Sequence, residues 1–164
     1  METTPMKPFK VAATFGRFNL LHNGHIHLFL QMFEQAEEVY IGLSTGPNNL
    51  DVLARKAVIE KALADEDIKF QVMPLRNPYE VFDIANTVHG LDTLCYFGED
   101  QIKLSRSIEK SFGFECRLNP RIASSTLVRS LIDNEEWDIL SDIVPGSIIG
   151  EVTELHLLSK QNNA

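Results

Sequence analysis

Two histidines three positions apart, His22 and His25, stand in the run Gly16-Arg17-Phe18-Asn19-Leu20-Leu21-His22-Asn23-Gly24-His25, where a β-branched and aromatic segment gives way to one of helical period. Rings at the start of a helix can face one anion together with the helix's unpaired N–H groups and the positive end of its dipole. Gly16 and Gly24 allow the backbone to approach that anion, and Arg17 can clamp it through two parallel hydrogen bonds. An imidazole donor strengthens its bond as charge builds on phosphorus, so this pattern suits stabilisation of a phosphoryl transition state as well as binding. The same spacing also fits surface residues or half of a metal site. The remaining histidines, His27, His89 and His156, share no pattern with the pair, so no metal site is assigned.

A second anion site is suggested by Ile122-Ala123-Ser124-Ser125-Thr126-Leu127-Val128-Arg129. Ser124, Ser125 and Thr126 are the residue types that open a helix, and Arg129, within one turn, brings its guanidinium back over the same end. An ordinary N-cap explains the hydroxyls equally well, and capping is compatible with anion binding. Two such sites in one chain point to nucleotidyl transfer, in which a triphosphate must be held at both its α-phosphorus and its leaving end.

These residues need a scaffold that brings two distant helix starts together. Short strand-like runs alternate with helical ones: strands near Phe9–Phe15, Val39–Ser44, Lys69–Leu75, Thr93–Phe97 and Phe114–Leu118, and helices near Gly24–Ala36, Asp51–Ala64, Tyr79–His89, Gln101–Ser111 and Ser124–Asn134. The expectation is an α/β Rossmann-like fold, a doubly wound parallel sheet of about five strands with helices on both faces, its ligands at the carboxyl ends of the strands. A length of 164 residues, 44% of them hydrophobic, suits a single domain over 1–164, with 135–164 as a C-terminal helical packing extension that carries Trp137, Val144-Pro145 and the apolar run Leu155–Leu158.

A net charge of −8 argues against a long nucleic acid as partner, because that affinity comes from lysine and arginine neutralising phosphates. Small anions need only a local cluster, and Arg17, Arg55, Arg121 and Arg129 all fall in or beside the informative stretches. No apolar run is long enough for a membrane span or a signal peptide, so a cytoplasmic protein without a membrane partner is expected. Cys95 and Cys116 lack metal-site or redox spacing and are expected to be reduced structural thiols.

GRFNLLHNGH and IASSTLVR resemble the HxGH and ISSTxxR signatures of the nucleotidyltransferase superfamily, which includes adenylyltransferases and cytidylyltransferases; the likeness in element order and spacing runs from about Phe9 to Ile143. The resemblance implies in-line attack by a substrate phosphate on the α-phosphorus of a nucleoside triphosphate. Pyrophosphate leaves, Mg2+ assists, and no covalent enzyme intermediate forms. On this likeness His22, His25, Arg17 and Arg129 are the catalytic residues. Phe15, Gly16, Gly24, Gly98, Asp100, Ser124, Ser125 and Thr126 meet the nucleotide, with Gly98 and Asp100 in a Gly-x-Asp turn where Asp100 either accepts from ribose hydroxyls or caps the next helix.

An arginine directly after Gly16 is similar to the archaeal-type nicotinamide mononucleotide adenylyltransferases. That likeness makes ATP and a phosphorylated small molecule, preferably nicotinamide mononucleotide, the substrates. It places Arg55, Asn77 and Phe82 on the acceptor and Ser44–Asn49 in a substrate-side loop. Arg55 can instead be an exposed helix residue paired with Asp51, and Asn77 and Phe82 a helix start with packed aromatics. The sequence departs from that family at Asn19-Leu20, where it has Gln-Pro, and at Val52–Arg55, where it has a Thr-x-x-Glu-Arg context. Phosphopantetheine adenylyltransferase, a cytidylyltransferase for a phosphorylated alcohol such as glycerol 3-phosphate, and a non-catalytic nucleotide-binding module are the alternatives. A homo-oligomer is expected, as is usual in the superfamily.

Overall fold

A computed structural model describes residues 7–47, 49–120 and 123–162. Asn48, Arg121 and Ile122, expected in the substrate-side loop and beside the second motif, lie outside the described residues.

Five strands, β1 (Phe9–Gly16), β2 (Ala36–Ser44), β3 (Phe70–Leu75), β4 (Thr93–Gly98) and β5 (Glu115–Asn119), pair in parallel in the order β3-β2-β1-β4-β5. Side-chain alternation divides the core. Ala12, Val39, Ile41, Leu43, Leu94 and Tyr96 face one side, where they meet α1 (Asn23–Gln35), α2 (Val52–Leu63), α5 (Ser125–Asp133), α6 (Trp137–Ile143) and α7 (Ile149–Asn162). Val11, Ala13, Phe15, Tyr40, Cys95 and Phe97 face the other, beneath α3 (Pro78–His89) and α4 (Ile102–Phe112). Helices therefore cover both faces, and the interior strands read as nearly continuous apolar runs because they are buried on both sides.

The element order agrees with the expected one, and the boundaries differ in informative places. The chain passes from α1 into β2 without a loop: Ala36, expected at the helix end, pairs with Phe9 and already has extended backbone. Phe114, expected in β5, precedes it and buries its ring against Phe82 and Phe112. Residues 135–164 contribute α6, α7 and the turn between them, which send Leu140, Val144, Ile148 and Val152 into the same core cluster as α1 and α2, and Lys61 of α2 pairs with Glu151 of α7.

From β1 the chain winds outward through β2 to β3, then returns to the other side of β1 for β4 and β5. The loops leaving β1 and β4 consequently diverge and open a crevice at the carboxyl ends of those two strands. Cys95 and Cys116 lie opposite each other across β4 and β5 as free thiols. Among the described residues no helix is long and apolar enough to cross a membrane.

Candidate active site

The start of α1 is built by its own histidines. His22 is the N-cap, with extended backbone (φ −142°, ψ 176°), and its Nδ1 accepts the Gly24 N–H at 3.0 Å. His25 Nδ1 accepts the His22 N–H at 3.3 Å, so two imidazoles form the reciprocal capping box usually made by a hydroxyl and a carboxamide or carboxylate. This arrangement fixes the tautomer: with Nδ1 of each neutral ring accepting, each carries its proton on Nε2. The rings stack with centroids 3.8 Å apart and planes 21° from parallel. Burial, with the neighbouring His22 as the smaller cause, holds the His25 imidazolium well below the usual histidine range, so that ring is a neutral donor at neutral pH.

Both glycines of this stretch make room for rings. A Cβ on Gly24 would stand 2.8 Å from His22 Cε1, and one on Gly16 would stand 2.9 Å from Phe18 Cζ. Phe18 adopts a left-handed backbone (φ 45°) that turns its buried ring edge-on to His25 at 5.0 Å and against Phe29 at 5.3 Å. The ring thus supports His25 from the core side.

At the start of α5, Ser124 is the N-cap and its Oγ accepts the Leu127 N–H at 3.1 Å. Ser125 Oγ donates to the Leu20 carbonyl at 3.4 Å, which joins the two sequence motifs directly. Arg129 donates to Thr126 Oγ1 at 3.1 Å, over the helix end as the one-turn spacing anticipated. Arg17 Nε donates to Asn49 Oδ1 at 2.7 Å.

A cleft of about 570 Å³ lies at the carboxyl ends of β1 and β4. Phe15, Gly16, Arg17, His22, Gly24, His25, Gly98, Asp100, Ser124, Ser125, Thr126 and Arg129 all line it. The loop after β1 and the α1 and α5 N-termini thereby deliver N–H groups, hydroxyls, imidazoles and two guanidinium groups to one concavity, a setting that favours a polyanion. Asp100 is exposed in a 3-10 turn (Glu99–Gln101), and its side chain caps neither that turn nor α4. Among the described residues, no three His, Cys, Asp or Glu side chains gather in a way that could hold a metal ion.

The three residues expected on the acceptor are not brought to this cleft. Arg55 is 2% exposed, so it is not the exposed helix residue considered as the alternative, while the Asp51 carboxylate is near enough to act on its charge. Arg55 donates through Nε to Leu50 O (2.8 Å), through one terminal nitrogen to Arg17 O (2.6 Å) and through the other to Ser44 O (2.8 Å), while Asp51 caps α2. Its burial lowers the guanidinium's pKa, a cost that three carbonyls offset. Asn77 caps α3 by accepting the Tyr79 N–H at 3.0 Å. Phe82 is fully buried among Phe97, Phe112 and Phe114 on the α3/α4 side of the sheet. The physical reason is that each side chain is already used by the fold: Arg55 by three loop carbonyls, Asn77 by the end of its own helix, and Phe82 by the apolar layer between α3 and the sheet.

Other residues line the cleft without having been singled out: Asn19, whose side chain accepts the Leu50 N–H at 3.1 Å, Asn119 and Pro120 at the end of β5, and His156 and Ser159 of α7. Asn119 and Pro120 were reachable from the rule that ligands meet strand carboxyl ends. His156 carried no local signal, because only packing brings α7 to the cleft.

Comparison with known proteins agrees with this geometry. A cytidylyltransferase-like family model matches residues 13–131. The nicotinamide-nucleotide adenylyltransferase of Haloarcula marismortui is 27% identical over 156 residues, covering 86% of this chain and 79% of the relative. Among solved structures, the Plasmodium falciparum nicotinic acid mononucleotide adenylyltransferase complexed with APC superposes with a TM-score of 0.67 at 12% identity, over 89% of this chain and 95% of that one. A bifunctional NMN adenylyltransferase/ADP ribose pyrophosphatase from Francisella tularensis superposes with a TM-score of 0.63 at 14% identity, over 93% of this chain and 54% of that one. These superpositions establish a shared fold.

Proposed function

The chain belongs to the cytidylyltransferase-like family, and from that premise we propose that it transfers AMP from ATP to nicotinamide mononucleotide, forming NAD and releasing pyrophosphate. The observation that carries the reading is the convergence of the α1 and α5 N-termini on one cleft with all of the nucleotide-side residues along it. The choice of adenine and of the acceptor rests on the similarity to the Haloarcula enzyme over most of both chains.

In this reading the triphosphate spans the cleft from α1 to α5. A phosphate oxygen of the acceptor attacks the α-phosphorus in line; the bond from that phosphorus to the bridging oxygen breaks, and its electron pair leaves with pyrophosphate. The attacking phosphate monoester is already ionised near neutral pH, so no general base is required and catalysis falls to positioning and electrostatics. The Nε2–H groups of His22 and His25 hydrogen-bond the α-phosphoryl oxygens as charge accumulates there. With its pKa depressed, His25 acts as a neutral donor and transfers no proton. Ser124, Ser125, Thr126 and the N–H groups of α5 hold the β- and γ-phosphates, and Arg129 clamps the leaving pyrophosphate.

Arg17, Asn19 and Leu50 also line the cleft, and Arg17 bonds Asn49 of the loop expected on the substrate side, so the acceptor is placed beside them. ATP enters as its Mg2+ complex. Among the described lining residues Asp100 carries the one carboxylate and is the side chain that would meet the ion beside the phosphates; Mg2+ would supply neutralisation of charge on the leaving group. The reading includes a cytoplasmic homo-oligomer.

Pyrophosphate release tests this directly, with ATP or CTP offered against nicotinamide mononucleotide, phosphopantetheine and glycerol 3-phosphate. Release is expected with ATP and nicotinamide mononucleotide and is abolished in H25A. Release with CTP alone refutes the assignment of adenine; ATP binding without release from any pair refutes turnover.

A further inference from the structure

Asp133 ends α5 one helical turn beyond Arg129, in the i,i+4 relation that places two side chains on one face and lets opposite charges pair. Left to its own helix, Arg129 would have this carboxylate as its nearest counter-charge. It does not use it. Among the described residues no carboxylate lies within ion-pair distance of Arg129, whose guanidinium instead bonds Thr126 and lines the cleft.

The Asp133 carboxylate is engaged by α7. Its Oδ1 accepts from His156 Nε2 at 2.8 Å and from Lys160 Nζ at 2.6 Å, two residues themselves one turn apart on that helix. His156 is 5% exposed and borders the cleft, so its imidazole is the buried donor, while Lys160 is an outer second donor with a side chain 54% exposed. Hydrogen bonds from Lys160 and then His156 hold the Asp133 carboxyl below the usual carboxylate range, which keeps it ionised and attached to α7.

We propose that α7 withdraws Asp133 from Arg129, so that the guanidinium stays directed at the anion in the cleft; His156 and Lys160 are positioning residues that act through Arg129. The inference rests on the assignment of Arg129 to the pyrophosphate end of the triphosphate. It gives the C-terminal extension a part in phosphate binding beyond the covering of apolar surface. An exposed Arg129–Asp133 pair, if released to form, competes with the ligand by about two- to fivefold in affinity, the range of surface ion pairs.

Calorimetric titration of the full chain with inorganic pyrophosphate and with ATP decides it. The double variant H156L/K160M is expected to bind both ligands about two- to fivefold more weakly. Adding D133N to it should restore wild-type affinity, because the competing charge is gone. K160E, at an exposed position that leaves the buried His156 in place, repels Asp133 toward Arg129 and is expected to show the same loss and the same rescue, so the test survives if H156L fails to fold. If D133N fails to restore binding, or weakens it further, the contact only holds α7 in place and the inference is overturned. It is equally overturned if the α7 variants bind as the wild type does. R129A separates the two assignments: if it leaves pyrophosphate affinity unchanged, the role of Arg129 itself falls, whereas a loss in R129A with no loss in the α7 variants removes only the part given to α7.

Discussion

Replacing Arg55 with methionine should destabilise the protein by about 3 kcal/mol while leaving direct contact with the acceptor untouched. The side chain is buried, and its three hydrogen bonds gather the carbonyls of Arg17, Ser44 and Leu50, tying the loop after β1 to the end of β2 and the approach to α2. A stranded carbonyl costs about 1–3 kcal/mol. The low end applies at each of the three because these residues lie near the surface, within reach of water, and because methionine removes a desolvated charge whose burial was itself unfavourable. At about 2–4 °C per kcal/mol for a chain of this size, the melting temperature should fall by about 6–12 °C. R55K should lose most of the same stability, since one ammonium cannot span three carbonyls set around a planar fork. Thermal melts paired with acceptor KM measured well below the transition check this. An R55M protein that melts within about 2 °C of the wild type, with acceptor KM raised about tenfold or more, would show that Arg55 touches the acceptor and would refute its positioning role.

G24A adds a methyl group 2.8 Å from His22 Cε1, which must displace the capping ring and its stacked partner. Losing the cap costs about 1 kcal/mol and alanine's helix propensity returns about as much, so stability should stay near wild type while kcat falls about a hundredfold, measured by pyrophosphate release. His25, with its folded pKa below the unfolded value of 6.5, makes the unfolded chain the greater proton binder as pH falls through and below that value. Stability measured by urea titration should therefore decline from about pH 7 toward about pH 5, by no more than about 1.4 kcal/mol per pH unit from this group, and H25Q should flatten the profile; an unchanged slope would refute the assignment. S124A removes the bond to the Leu127 N–H and should cost about 1 kcal/mol in a thermal melt. It should also raise the KM for ATP more than it lowers kcat, because the same hydroxyl borders the cleft.

The sequence by itself determined the sheet, its helices and the two helix starts that meet at the cleft, because each of those signals is local. Alternating apolar runs report strand or helix through the period of burial, and His22, Gly24, His25 and Ser124–Arg129 report a helix start through spacing alone. Such motifs keep their geometry wherever they are placed, and the rule that ligands meet strand carboxyl ends then puts them together. The placement of Arg55, Asn77 and Phe82 was not legible in the same way. An arginine in a helix looks the same in sequence whether its fork faces solvent, a substrate or three carbonyls from separate loops, and only the packing of α2 beneath those loops turned Arg55 inward. Asn77 caps its own helix and Phe82 is buried between α3 and the sheet, and no local pattern tells which face of that helix the sheet will cover. The tertiary structure alone also decided that Asp133 would be bonded to α7, leaving Arg129 without that carboxylate, since an i,i+4 spacing reports which charges can meet and only the neighbouring helix determines which of them do.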